Sequence, residues 1–380
     1  MKFEALKNSS GLARVGRVTL ANGLSFKTPA FMPVATQASV KALGVDDLKA
    51  AHVRMLLSNT YHLVLRPGLA VIQRAGGLHR FMNWDGGILT DSGGFQVMSL
   101  NHLVRLSEEG ASFRSHIDGQ LWKFTPESVI EAQMILGSDA VTCLDVCSAY
   151  PVAADESRQA LEMTLRWSER AKKRFDGFQA QGQGEDVMLF GIVQGGFDEV
   201  LRREAVQRMA GMGFEAFALG GLSVGEPKEL TWAMTETICR FLQESSAPRY
   251  LMGVGDPLDF WEACRRGVDL MDCVLPTRNA RNGQALTSLG KLYVKNRDFR
   301  DDNGPLDPEC PCLTCRSHSR AYLAHLYHAG ELLLYRLLSL HNIAFMIRLA
   351  EKIQQAIEAD RLDAAFNEFR RNYANKALSL

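Results

Sequence analysis

Three aspartates and a cysteine cluster carry most of the chemistry this sequence can offer. In Leu270-Met-Asp-Cys-Val-Leu-Pro-Thr-Arg278, Asp272 lies near the end of a short apolar run and a basic turn follows at once. In Gly87-Ile-Leu-Thr-Asp-Ser-Gly-Gly-Phe-Gln96, Asp91 ends a second apolar run, and the glycines after it let a ligand approach the backbone. Asp145, in Cys143-Leu-Asp-Val-Cys-Ser148, has apolar flanks, where an unpaired buried carboxylate is costly. Carboxylates at strand ends suit covalent and acid/base chemistry, one as nucleophile and another as proton carrier. Singly, each also reads as a turn residue, a helix cap or an ion-pair member.

Of eight cysteines, Cys143, Cys147, Cys239, Cys264 and Cys273 are scattered through apolar stretches, where a free thiol behaves as a small hydrophobe. The other three, Cys310, Cys312 and Cys315, follow C-x-C-x2-C in Glu309-Cys-Pro-Cys-Leu-Thr-Cys315. That spacing suits metal thiolates better than disulfides. A tetrahedral zinc needs a fourth ligand, and His318, His325, His328 and His341 are all within reach along the chain. Four protein ligands leave no open position, so such a zinc is structural, one per subunit.

Side chains so far apart in sequence need a scaffold that gathers them. Apolar runs of strand length occur at 30–34, 54–59, 88–91, 140–145, 189–194, 216–221, 250–255 and 270–275. Most are separated by helical patterns, such as 155–174 with Leu161, Leu165 and Ala171 on one face, and 199–212 with Leu201, Ala205 and Met209. Eight such alternations predict an α/β fold, a closed (β/α)8 barrel of the TIM type. In that architecture active sites collect at the carboxyl ends of the strands, where Asn59, Asp91, Asp145, Gln194 and the Gly220-Gly221 pair fall.

Asn22-Gly23 predicts an N-terminal hairpin and Asp118-Gly119 another in the third loop, after which Thr125-Pro126 opens a helix. The expected organisation is a barrel with its N-terminal hairpin over 1–275, and a zinc-binding subdomain with a helical layer closing the barrel over 276–380.

The chain has 380 residues, 46% hydrophobic and 23% charged, the balance of an ordinary globular protein. No run is read as approaching the roughly 20 apolar residues of a membrane span, and the first residues lack the apolar core of a signal peptide. A cytoplasmic protein without membrane contact is expected. Zero net charge argues against a general nucleic-acid coat, although the segment from Pro276 onward holds 15 Lys+Arg against 11 Asp+Glu.

Taken together, Asp91-Ser-Gly-Gly-Phe-Gln96, Gly191-Ile-Val-Gln-Gly-Gly196, Ala218-Leu-Gly-Gly-Leu-Ser-Val-Gly-Glu226, Tyr250-Leu-Met-Gly-Val-Gly255 and Met271-Asp-Cys-Val-Leu-Pro-Thr-Arg278 closely resemble the queuine tRNA-ribosyltransferases, the tRNA-guanine transglycosylases. The cysteine triplet and His341-Asn342 belong to the same pattern, which covers nearly the whole chain in order and looks bacterial in type. The resemblance implies exchange of guanine at the anticodon wobble position of tRNA for a 7-deazaguanine precursor of queuosine. It makes Asp272 the nucleophile toward the ribose and Asp91 the general acid/base.

By the same resemblance, Asp145 accepts from the amidine edge of the base, and Gln194 and the Gly221 amide donate to its ring oxygen. Ser92 and Asn59 buttress the pocket. Phe95 and Met252 cover the faces of the base, and the Leu222 carbonyl with Glu226 behind it receives an aminomethyl substituent. Arg278 and Arg281 contact the anticodon loop, with Lys291, Lys295 and Arg297 near them. His341 completes the zinc site, and His318, Tyr322 and His325 fall at a homodimer contact.

The chain departs from the bacterial pattern at Val146, where glutamate is usual, and at Phe95 and Ser223, which follow the eukaryotic manner. Cys147 and Val224 keep the bulk that suits 7-aminomethyl-7-deazaguanine, with queuine itself as the alternative substrate. Two rivals come from other classes. A metal-dependent barrel hydrolase needs histidines at strand ends, and none of the eight runs ends in one. A non-catalytic RNA-binding partner subunit could lose Asp91 or Asp272, and both are present.

Overall fold

The computed structural model describes residues 1–9, 11–100 and 104–374. Eight parallel strands close into a barrel in sequence order: β1 (Ala30–Ala35), β2 (Met55–Asn59), β3 (Gly87–Asp91), β4 (Ala140–Thr142), β5 (Met188–Val193), β6 (Phe217–Leu219), β7 (Arg249–Leu251) and β8 (Leu270–Cys273). Every run expected from the sequence supplies one strand. The fourth to eighth end earlier than expected: Asp145, Gln194, the Gly220-Gly221 pair and Met252 belong to the segments just beyond β4, β5, β6 and β7, and β8 ends at Cys273.

Alternation along the strands explains where the polar residues lie. The barrel interior is filled by Met32, Val34, Leu57, Leu89, Ala140, Phe190, Ile192, Ala218, Tyr250 and Leu270, all buried. Side chains two positions apart on a strand share a face. Asn59, Asp91 and Asp272 therefore follow Leu57, Leu89 and Leu270 on the inward face, one layer higher, and Gln194 and Met252 come directly after the ends of β5 and β7. An apolar plug below and a polar floor above result from that period alone.

The helices between strands bury their apolar stripes against the outside of the barrel. Ala154–Gln179 turns Leu161, Leu165, Ala171 and Phe175 inward, and Glu199–Gly211 turns Leu201, Ala205 and Met209. Pro126–Leu136 begins at Thr125, whose hydroxyl accepts from the Ser128 amide at 3.1 Å, with proline in the first turn.

Both expected hairpins form, and each gains a third strand. Arg14–Thr19 and Ser25–Thr28 pair antiparallel across the Asn22-Gly23 turn, with Lys2–Asn8 added on the outer edge. A register shift falls between Ala5 and Lys7, and the strand's inward positions are only half-buried and hold Phe3, Ala5 and Lys7, a weak apolar signal in the sequence. In the third loop, Gly110–Arg114 pairs with Leu121–Phe124 and also with Arg105–Ser107.

After β8 come the helix Leu275–Arg281, the strand pair Gln284–Thr287 and Gly290–Tyr293, and the helices Leu313–Ser317, Arg320–Ala329, Leu332–Glu358 and Leu362–Ala374. Leu332–Glu358 lies against β1 and the helix Pro257–Arg265, the place where the ring of helices must close. Contrary to the sequence expectation, this 27-residue helix is long and apolar enough to cross a membrane, with mean hydropathy 1.3 over its best window. Since 72% of that window is buried within the protein, its apolar surface already faces the core.

Candidate active site and metal centre

Three carboxylates open on the same end of the barrel, each nearly buried: Asp272 is 6% exposed, Asp91 7% and Asp145 8%. Their surroundings differ. Asp272 Oδ1 accepts from the Tyr250 hydroxyl at 2.5 Å and the Gly253 amide at 2.9 Å. Burial raises its pKa, and these two donors, which favour the carboxylate, pull against the rise.

Asp91 faces Asn59 across the β2–β3 register. Asn59 caps the helix Thr60–Leu65, its Oδ1 accepting from the His62 amide at 3.0 Å, so its amide nitrogen must be the atom turned toward Asp91, at 2.6 Å. The Thr60 amide at 3.2 Å and Gln96 Nε2 at 3.3 Å also donate to Asp91. Desolvation outweighs these donors, and the charge of nearby Asp272 adds to the rise, leaving Asp91 at about 7. A carboxyl at that value can give or take a proton near neutrality.

Asp145 accepts from Gln194 Nε2 at 2.7 Å and from the Ser92 hydroxyl at 3.4 Å, and burial pushes it up to about 6. Gly221, at φ +63, lies beside Gln194, and the Gln194 amide oxygen fills the space a Cβ there would take. A side chain at 221 would both strain the backbone and push Gln194 aside.

A sequence model of the queuine tRNA-ribosyltransferase family matches residues 8–375. The chain is 49% identical over 377 residues to a queuine tRNA-ribosyltransferase of Thermoanaerobacter sp. (strain X514), an alignment that covers 99% of this chain and 98% of the relative. Proteins with the same name from Caldanaerobacter subterraneus and Bacillus cereus (strain B4264) are 49% and 48% identical over 374 residues, 98% of this chain in each case. The chain belongs to the queuine tRNA-ribosyltransferase family.

Asp272, Asp91, Asp145, Asn59, Ser92, Gln194 and Gly221, the residues expected from the family pattern, thus converge at one barrel mouth. Gln194 departs from its expected role in one respect, because its amide nitrogen is already bonded to Asp145. Leu222 is buried at 5% exposure, Met252 is half-buried, and Phe95 is 52% exposed on the helix Gly94–Leu100. Glu226 accepts from the Ser223 and Val224 amides at 2.5 and 2.8 Å and from the Thr231 hydroxyl at 2.5 Å, which ties down the loop that follows Leu222. Arg278 is exposed on the helix after β8, and Arg281 folds back onto the Thr277 carbonyl at 2.9 Å.

Sequence reasoning gave no role to Tyr250, Gln96 or the Gly253 amide, although all three touch Asp272 or Asp91. Tyr250 pairs with Leu270 in register, which sets its hydroxyl beside a residue two places further along β8. That relation depends on strand pairing, which a single sequence does not display.

The metal ligands also assemble. One atom from each of Cys310, Cys312, Cys315 and His341 lies within 4.8 Å of the others. His341 Nε2 is 2.7 Å from the Leu286 carbonyl oxygen, which only accepts, so the ring proton is on Nε2 and the Nδ1 lone pair is available. Nδ1 is 3.2 Å from Cys315 Sγ and 3.5 Å from Cys312 Sγ. Three thiols and one oriented imidazole fit the structural zinc of this family, and they would hold it between the Cys310–Cys315 loop and the long helix Leu332–Glu358. His318 and Tyr322 stack on each other at 5.1 Å, outside this group.

Proposed function

We propose that this protein exchanges the guanine at the wobble position of a tRNA anticodon for 7-aminomethyl-7-deazaguanine through a ribosyl ester on Asp272. The observation that carries the reading is the pairing of two buried carboxyls at one barrel mouth with different partners. Burial raises both, but Asp272 is fixed through Oδ1 alone by Tyr250 and Gly253, which leaves Oδ2 for attack, while Asp91 lies at about 7.

The target base must leave its stack, and an unpaired loop base is the cheapest to extrude. Asp272 then attacks the ribose anomeric carbon. Its Oδ1 accepts both Tyr250 and Gly253, so attack falls to Oδ2. The bond from that carbon to guanine N9 breaks as the ester forms, and the Asp91 proton goes to the leaving base. Asp91, now a carboxylate, removes the N9 proton of the incoming base, which displaces Asp272. Two in-line displacements restore the original configuration.

Asp145 accepts from the N1–H and amino group of either base. Exchange of the Gln194–Asp145 bond for one to the ring oxygen, with the Gly221 amide as second donor, completes the edge. Phe95 and Met252 cover the faces of the ring. The Leu222 carbonyl, in the loop that Glu226 ties down, receives the aminomethyl group, and Ser92 buttresses Asp145. Cys147 and Val224 leave room for that small substituent. Arg278 and Arg281, on the helix next to the nucleophile, take loop phosphates. The protein acts as a homodimer joined near His318, Tyr322 and His325, with the zinc holding that region in shape.

An anticodon stem-loop incubated with a slowly exchanging base analogue should give a denaturant-resistant protein–RNA adduct with the wild type and none with Asp272→Asn. An adduct that persists in the variant would move the nucleophile elsewhere. In the same assay, unlabelled 7-aminomethyl-7-deazaguanine should chase the adduct better than queuine; the reverse order would favour queuine, the reading to which Val146, Phe95 and Ser223 incline.

A further inference from the structure

Behind the wall of the base pocket lies a guanidinium that the mechanism above does not use. Arg202, in the helix Glu199–Gly211, is 0% exposed. Asp198 is occupied by the Val200 and Leu201 amides as the helix cap, and Glu204 pairs with Arg158 and Arg208. Every acceptor of Arg202 is a main-chain carbonyl: Gly196 from Nε at 2.9 Å, Val193 and Gly220 from Nη1 at 2.7 and 2.8 Å, and Gly221 from Nη2 at 3.5 Å. These carbonyls belong to the ends of β5 and β6 and the loops beyond them. Glu226 acts on this cation only through space, and no carboxylate bonds to it directly. Burying a cation without a bonded anion is expensive, and an apolar side chain would fill the same volume without that cost.

The geometry of the peptide unit suggests what the guanidinium does. The Gly220–Gly221 bond is trans, so the Gly220 carbonyl and the Gly221 N–H point in opposite directions. With the carbonyl fixed on Arg202, the amide must face away from it. On that far side it meets the Cys147 sulfur, two residues along from Asp145, and the Gln194 side chain lies against both glycines. Gly221 at φ +63 has the backbone freedom to flip, so its direction needs an external restraint.

We infer that Arg202 is a positioning residue for base recognition: it turns the Gly221 N–H into the pocket and places a buried positive charge behind the subsite for the ring oxygen of an oxopurine. This rests on the pocket assigned under the proposed function. A preorganised donor backed by a desolvated cation acts most strongly on an oxygen that gains negative charge, as the ring oxygen does while the bond to the ribose breaks ahead of full proton transfer from Asp91.

The test compares guanine with 2-aminopurine, which lacks the ring oxygen, by equilibrium binding to the zinc-loaded protein. Wild type should prefer guanine. In Arg202→Lys and Arg202→Gln that preference should narrow by about tenfold, the scale of one hydrogen bond backed by charge, with guanine weakened and 2-aminopurine little changed. An equal loss for both bases, or an unchanged preference, would reduce Arg202 to scaffold and overturn the inference. A wild type that binds neither base would instead overturn the reading of the pocket. Should neither variant fold, amide exchange on the wild type decides: guanine should protect the Gly221 N–H and 2-aminopurine should not, and equal protection by both would overturn the inference.

Discussion

Asp91 is the residue whose environment makes the sharpest prediction. Its carboxyl rises from 3.8 to about 7 because burial disfavours the charge, with the nearby charge of Asp272 adding to the rise. The folded pKa lies above the unfolded one, so the stabilising contribution of this group is complete below 3.8 and is lost as pH rises through about 7. Two substitutions should move that value in opposite directions. Asp272→Asn removes a like charge, so the Asp91 carboxyl carbon should titrate lower. Asn59→Ala removes a donor to the carboxylate, so it should titrate higher, with the lost helix cap costing about 1 kcal/mol of stability. Carbon-13 titration of labelled aspartate reads both, and shifts of the same sign would refute this electrostatic account. The types and order of the site residues could be read from the chain, since Asp91, Asp145 and Asp272 each stand out against apolar neighbours. The donors that tune them could not, because Tyr250 and the Gly253 amide reach Asp272 only once β7 and β8 are paired.

At the scale of elements, the eight strands announced themselves as apolar runs because a strand inside a closed barrel is buried on both faces. Lys2–Asn8 and the strand pair Gln284–Thr287 and Gly290–Tyr293 did not. The first is an edge strand with a shifted register, and the second is held by a partner outside its own sequence. That partner is Asn342, 0% exposed on the helix Leu332–Glu358 and next to the metal ligand His341. Its side chain accepts from the Leu286 amide at 2.8 Å and donates to the Gln284 and Pro276 carbonyls, each at 2.9 Å. One amide thus joins the strand pair, the long helix and the short helix that carries Arg278 and Arg281. Asn342→Ala removes three hydrogen bonds to buried backbone groups and should cost roughly 2–4 kcal/mol in urea unfolding. It should also weaken stem-loop binding while leaving the affinity for free base unchanged. A loss below about 1 kcal/mol, the worth of one neutral hydrogen bond, would mean that water or a neighbour replaces those bonds.

Across the whole molecule, the barrel gathers the carboxyls and the C-terminal segment shapes the surface around them. Asp272 and Arg278 are joined through one short helix, so the proposed nucleophile and the proposed RNA contact lie on a single chain path. The same C-terminal segment leaves large apolar groups in solvent: Leu332 is 78% exposed, Leu313 42%, and Leu333 and Tyr322 38% each. Exposed apolar groups are ordinary when single, but four on three consecutive helices beside the zinc ligands are what a covering partner would explain. The proposed occupant is a second copy of the chain, which the net charge of zero does not repel. Tyr322→Asp sets a charge into that surface and breaks the stack with His318 without touching a zinc ligand or the base pocket. Sedimentation over a range of concentrations should find the wild type dimeric and the variant monomeric, with zinc content and free-base binding preserved and stem-loop affinity reduced. A wild type that sediments as a monomer, or a variant that remains dimeric, would remove this face from the proposed assembly.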